Sequence, residues 1–257
     1  MRQLILCCFL FLSFSNAHAM LVGNPAQPGL QTCGAFFKSP PWVSFRVGYL
    51  DDWVYQEKLH PAGNTSTPTS MQLSTYAGIL TLNFQNRIDL YGIIGSSRLQ
   101  LDQEIFTKRA LGWGVGGKLI IFEHGNFFLG TDWKYFQTNQ KPRFFVMDGL
   151  PYNIVSNCRL QYHEIQAAVG IAYRISVCAP YINATYLVSK LEPKPVKIFV
   201  RLPDEPEIGD TSLDRQELTE WGLALGLTLI DKARATLAVE WRAINQNAID
   251  WNFEIRF

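Results

Sequence analysis

The residues able to do chemistry are few, and their spacing limits what they could do. Once a leader carrying His18 is set aside, three histidines remain: His60, His124 and His163. None has a second ligand at metal-site spacing, so no metal and no other cofactor is expected. His163 stands beside Glu164, the one suggestive acid–imidazole pair. In an extended chain, adjacent side chains point to opposite faces, which separates the two. No catalytic residue is assigned, and an enzyme is not expected. Gly112-Trp113-Gly114-Val115-Gly116-Gly117 has a glycine spacing loosely like a phosphate-binding loop. No helix follows it, and its glycines share one face of a strand, so small wall residues explain it better.

The remaining candidates are charges that recur on one parity of extended segments. Arg46, Lys118, Lys134, Arg174, Arg234 and Arg242 share that parity with Asp52, Asp132, Glu164, Glu240 and Glu254. Asp51 is the clear exception. If the shared face is a lumen, these charges form a mixed lining for ions and small solutes, with weak selectivity. On that reading Lys118→Glu or Arg242→Glu shifts selectivity and leaves folding intact. The alternative is a salt-bridged filling that only holds the shape, because small barrels are largely filled by their own side chains.

These residues must be positioned by long strands. Val43, Phe45, Val47, Tyr49, Trp53 and Tyr55 alternate with Ser44, Arg46, Gly48, Asp52 and Gln56. Period two marks a strand with one apolar and one polar face. Strands are read at about 42–56, 70–84, 86–98, 109–122, 126–138, 160–174, 176–190, 216–230, 233–243 and 248–257. Several exceed the roughly six residues of a mean globular strand. Aromatics gather near strand ends on the apolar face, and glycine, alanine and charge gather on the other. That is the pattern of a transmembrane antiparallel up-and-down β-barrel, with lipid outside and girdles at both interfaces. The expected count is ten, or twelve if Arg143–Met147 and Val196–Leu202 add strands. Pro193, Pro195, Pro203 and Pro206 place the second of these in a loop. Tight connections (Gln85-Asn86, 123–125, Ile175, Asp231-Lys232) alternate with long ones (57–69, 99–108, 139–159, 191–215). Short periplasmic turns and longer outer loops follow that alternation in outer-membrane barrels.

Composition agrees. The 257 residues carry 23 Lys+Arg against 22 Asp+Glu, which gives no basis for nucleic-acid binding. A mean hydropathy of 0.00 is too low for a helical membrane protein. Leu4–Phe14 is an apolar run of signal-peptide length, and Ala17-His18-Ala19 follows as a cleavage pattern. The expected organisation is a signal peptide at 1–19, a periplasmic or lumenal segment at 20–41, and a barrel at 42–257. Cleavage leaves Cys33, Cys158 and Cys178, an odd number in an oxidising compartment. At least one is therefore a thiol or is bonded to another chain, and all three are disulfide candidates.

Several stretches resemble one family, in order along the chain. They are Val22-Gly23-Asn24-Pro25-Ala26-Gln27-Pro28, Asn83-Phe84-Gln85-Asn86-Arg87-Ile88-Asp89 and Trp113-Gly114-Val115-Gly116-Gly117-Lys118-Leu119. Tyr162-His163-Glu164-Ile165-Gln166-Ala167, Tyr173-Arg174-Ile175, Pro180-Tyr181-Ile182 and Phe253-Glu254-Ile255-Arg256-Phe257 continue the match. The chain resembles a short member of the chlamydial major outer membrane protein (MOMP) porin family. The resemblance implies a porin in the bacterial outer membrane, passing ions and small solutes and contributing structure. It also implies homo-oligomers or intermolecular disulfides. Outer-membrane lipid is the expected surrounding, and the terminal Phe257 resembles the signal read by the barrel-assembly machinery. A filled, non-conducting surface barrel is the alternative function.

Overall fold

The computed structural model describes residues 22–36, 42–61, 69–102, 104–147, 149–154, 157–194, 197–201, 208–212, 216–244 and 246–257. The expected signal peptide lies outside them. The strands are β1 (Val43–Pro61), β2 (Thr69–Phe84), β3 (Ile88–Leu101), β4 (Ile105–Lys108), β5 (Ala110–His124), β6 (Phe127–Met147) and β7 (Leu150–Ile154). They continue as β8 (Arg159–Tyr173), β9 (Cys178–Lys194), β10 (Lys197–Arg201), β11 (Ile208–Ser212), β12 (Gln216–Asp231), β13 (Ala235–Ala243) and β14 (Gln246–Arg256). Among the described residues one helix, α1 (Gln27–Leu30), precedes them.

Ten strands form the wall. β1, β2, β3, β5, β6, β8, β9, β12, β13 and β14 pair antiparallel with their successors. β14 then closes on β1, from Arg46↔Arg256 to Glu57↔Gln246. Closure leaves no unpaired edge, which hydrocarbon requires. The short strands lie at the long-loop end. β4 bridges β3 and β6 just before β5. β7, β10 and β11 extend that end as a small sheet against the tip of β6. The Arg143–Met147 segment is therefore the end of β6. The 196–202 segment contains β10, a strand outside the barrel wall, with residues 196 and 202 beyond the described residues.

Burial is inverted relative to a water-soluble protein. In β1, Phe45 and Val47 are 44% and 46% exposed while Arg46 between them is 1% exposed. The same holds around the wall, where Leu80, Leu90, Ile94, Leu111, Val169, Trp221 and Leu227 face out. Such a surface is stable when its surroundings are lipid. Aromatic pairs ring both ends of this face. At the turn end, Phe257 stacks on Phe45 at 5.2 Å and on Phe36 at 5.5 Å. Towards the loop end, Tyr49–Trp251, Trp113–Tyr135 and Tyr186–Trp221 meet at 5.0–5.6 Å. Asp51 sits on the outward parity of β1, paired across to Tyr76 and Trp251 and 7% exposed.

The turn end is tight. Gln85 and Asn86, and again Lys232 and Ala233, have positive φ. Left-handed pairs of this kind match the twist of a two-residue hairpin.

Candidate functional site: the barrel lumen

The lumen is filled in three layers. At the turn end the segment from Val22 to Gln31 threads inside the wall, with nearly all of it buried. Its polar groups are tied down one by one. The amides of Val22 and Gly23 donate to the two Glu240 carboxylate oxygens, each at 2.9 Å. Asn24 donates to Thr228 and to the Ala179 carbonyl. Gln27 and Gln31 both donate to the Thr236 hydroxyl. From the wall, Asn183 donates to the Gly23 carbonyl, Lys118 to that of Val22, Asn83 to that of Pro28, and Arg256 to that of Gln31. Leu30 and Ala26 pack on Ile120, Phe128, Ala172, Tyr181 and Ile230. α1 is a single turn opened by Pro28, as proline's fixed φ favours.

The middle layer is ionic. Arg46 bonds Asp89, and its Nε lies 2.8 Å from Glu254. Lys118 pairs with Asp132, which also accepts from the Tyr91 hydroxyl at 2.8 Å. Lys134 lies 3.8 Å from Glu164. Arg242 faces Asp52 at 2.9 Å, Asp250 at 3.2 Å and Glu240 at 3.7 Å. Glu57 accepts from Ser189 and from Tyr162. A void beside Arg46, Asp89 and Lys118 measures 20 Å³, room for about one water.

The layer nearest the loops is apolar. Val54, Leu59, Met71, Leu73, Leu99, Leu101, Ile105, Leu160, Leu187, Leu191 and Leu218 point inward and pack together, with Phe136 and Tyr162 below.

Of the expected lining residues, Arg46, Asp52, Lys118, Asp132, Lys134, Glu164, Glu240 and Arg242 are all inside and buried. Arg174 and Arg234 are not in the wall. They sit in the turns after β8 and before β13, half-buried and exposed. Parity ends where the strand ends, so extrapolating it into a turn misplaced both. Asp89, Asp250 and Arg256 join the ionic layer and carry the same parity signal within their strands. Glu57 joins it against that signal, because a bulge in β1 after Val54 shifts the parity by one.

The lumen glycines seat aromatic rings. A Cβ on Gly112 would meet the Phe136 ring at 2.5 Å, and one on Gly116 or Gly226 would collide with Tyr91 or Tyr181.

No disulfide joins the three cysteines. Cys33 is exposed and Cys178 half-buried at the turn end, and Cys158 is buried just before β8. Burial pushes the Cys158 thiol pKa up, which keeps it protonated. His163 Nδ1 lies 2.9 Å from the Tyr135 hydroxyl on the outward face, with Glu164 on the inward one. No group of three metal-binding side chains occurs among the described residues.

No family model matches the chain. The chain is 22% identical to the major outer membrane porin, serovar E, of Chlamydia trachomatis, with 100% of both chains covered. It is 21% identical to the major outer membrane porin of Chlamydia abortus, again over 100% of both. The first alignment runs over 393 positions against 257 residues, so many of those positions belong to the relative alone. Among solved structures, the translocator domain of the autotransporter NalP from Neisseria meningitidis gives a TM-score of 0.48 at 8% identity. That comparison covers 85% of this chain and 89% of the other. The protein is an outer-membrane β-barrel that resembles the chlamydial major outer membrane porins along its whole length.

Proposed function

We propose that the protein is a filled outer-membrane barrel of the porin type, with a structural and surface role, its turn end in the periplasm and its loop end outside. The observation that supports this best is the three-layer filling of the lumen. The segment 22–31 closes the turn end, the ion pairs close the middle, and an apolar layer closes the loop end. Ions crossing such an interior would lose hydration with nothing to replace it.

A second reading, diffusion of ions and small solutes, is supported by the relatives, which are named porins, and by the mixed charges of the lower lumen. Planar-bilayer recording on the refolded mature chain separates the two. A filled barrel gives no discrete channel events above the lipid baseline. Reproducible unit steps in the parent protein would replace it with the diffusion channel.

A further inference from the structure

The outward face carries cations that the lumen reading leaves unused. Lys108 of β4 and Lys141 of β6 are direct cross-strand partners, both exposed. Like charges directly opposite are destabilising, so this pair calls for a counter-anion. Arg143, exposed, follows two residues along β6. On the neighbouring strand Ser97 pairs with Ala110, which brings exposed Arg98 level with exposed Arg109. Arg109 lies over the Tyr76 ring at 4.5 Å. No ion pair holds Arg98, Lys108, Lys141 or Arg143 among the described residues.

Their height matters as much as their charge. The residues below them on the same outward face are Ile94, Leu111 and Trp113, all strongly exposed. The cations therefore stand where the apolar belt ends and headgroups begin. On the same face, two strands or more from Lys141 and nearest to Arg98 through the Gln72–Gln100 pair, the bulge of β1 opens a groove of about 490 Å³. Tyr55 and Trp241 supply aromatic surface there, and Gln56, Ser70, Gln72 and Asn247 supply uncharged hydrogen-bonding groups. Aromatic faces with amides and hydroxyls suit a sugar, which has apolar ring faces and hydroxyl edges.

We propose that this face binds the phosphorylated sugar headgroup of an outer-leaflet glycolipid, with phosphate on the Arg98–Lys108–Lys141–Arg143 patch and sugar in the groove. The assignment rests on the orientation proposed above, with the loop end outside. A lipid is favoured over a soluble ligand because the patch faces sideways, level with the headgroups. Juxtamembrane basic clusters recognise anionic headgroups by the same electrostatics.

The test uses the refolded mature chain in phosphatidylcholine nanodiscs, with lipid A, a bisphosphorylated glucosamine lipid, as the probe. Native mass spectrometry should detect bound lipid A, and salt should weaken it. Lys108→Ala/Lys141→Ala should lower apparent affinity roughly tenfold or more while leaving the heat-modifiable folded band intact. Trp241→Ala should weaken binding with no change in salt dependence. Should the double variant fold poorly, Arg98→Gln supplies the charge arm. Equal binding by these charge variants, or equal binding of dephosphorylated lipid A, would overturn the assignment. Inorganic phosphate displacing lipid A at matched concentration would make the patch a soluble-anion site and overturn the lipid assignment. The lipid binding is independent of conductance, so it stands or fails apart from the filled-lumen reading.

Discussion

Arg242 shows how far a lone charge can be read. Its parity places it in the lumen, and it is there, 1% exposed. Parity alone made it an exchangeable lining group. The structure makes it the hub of Asp52, Glu240 and Asp250. Removing one partner of a buried ion network leaves charge uncompensated, at a cost of about 3–5 kcal/mol. Arg242→Glu should therefore abolish the heat-modifiable folded band, contrary to the sequence expectation of intact folding, and Arg234→Glu in its exposed turn should be silent. Folded yield after refolding checks both. Glycines at the same scale carry a second contrast. Gly226→Ala sets a Cβ into the Tyr181 ring, whereas Gly92 has open space around it. Overpacking costs about 1–3 kcal/mol. Gly226→Ala should lower the thermal midpoint, and Gly92→Ala should hold or raise it. Equal effects at the two sites would mean that the rings do not seat on the glycines.

At the scale of elements, alternation made the ten strands and their turns legible, because each inward–outward step is written in side-chain type. The loop-end extensions were not legible. β1 runs on to Pro61 and β6 to Met147, where the exposed side chains are Lys58, His60, Lys141 and Arg143 and the buried one is Leu59, so the apolar-outward signal of the wall reverses. The β1 bulge hid Glu57 for a related reason. The turns are where element geometry is least well served by the sequence. Asp231-Lys232-Ala233-Arg234 closes with Arg234 donating to the Asp231 carbonyl at 2.8 Å, with φ of 47° and 56° at its two central residues. Asparagine fills the second such position at Asn86 and tolerates it, but alanine does not. The left-handed region costs an alanine roughly 1–2 kcal/mol, and glycine's greater freedom in the unfolded chain offsets part of that, so Ala233→Gly should stabilise the barrel by about 1 kcal/mol or less. A rise in the urea midpoint for Ala233→Gly, larger than for Asn86→Gly, is the expected result.

For the whole molecule, the question is how many barriers close the lumen. Sequence parity tells which way a residue faces but not what it meets there, so the stretch 20–41 reads only as periplasmic or lumenal, and the apolar layer does not read at all. The family-like stretch Val22–Pro28 was visible, but its place inside the wall depends on partners from β5, β9, β12 and β13 that lie far along the chain. Leu59, Met71 and Leu101 lie at the loop end of their strands, where alternation had already blurred. The segment, the ion pairs and the apolar layer stand in series. Deleting 22–31 removes several buried hydrogen bonds, each contributing about 0.5–1.5 kcal/mol, and leaves Glu240 without its two backbone donors. The deletion should therefore fold with a clearly lower thermal midpoint. It should not conduct, because the packed leucines above remain. Channel events in the deletion but not in the parent would show that the segment is the sole barrier, and would turn the filled barrel into a gated one.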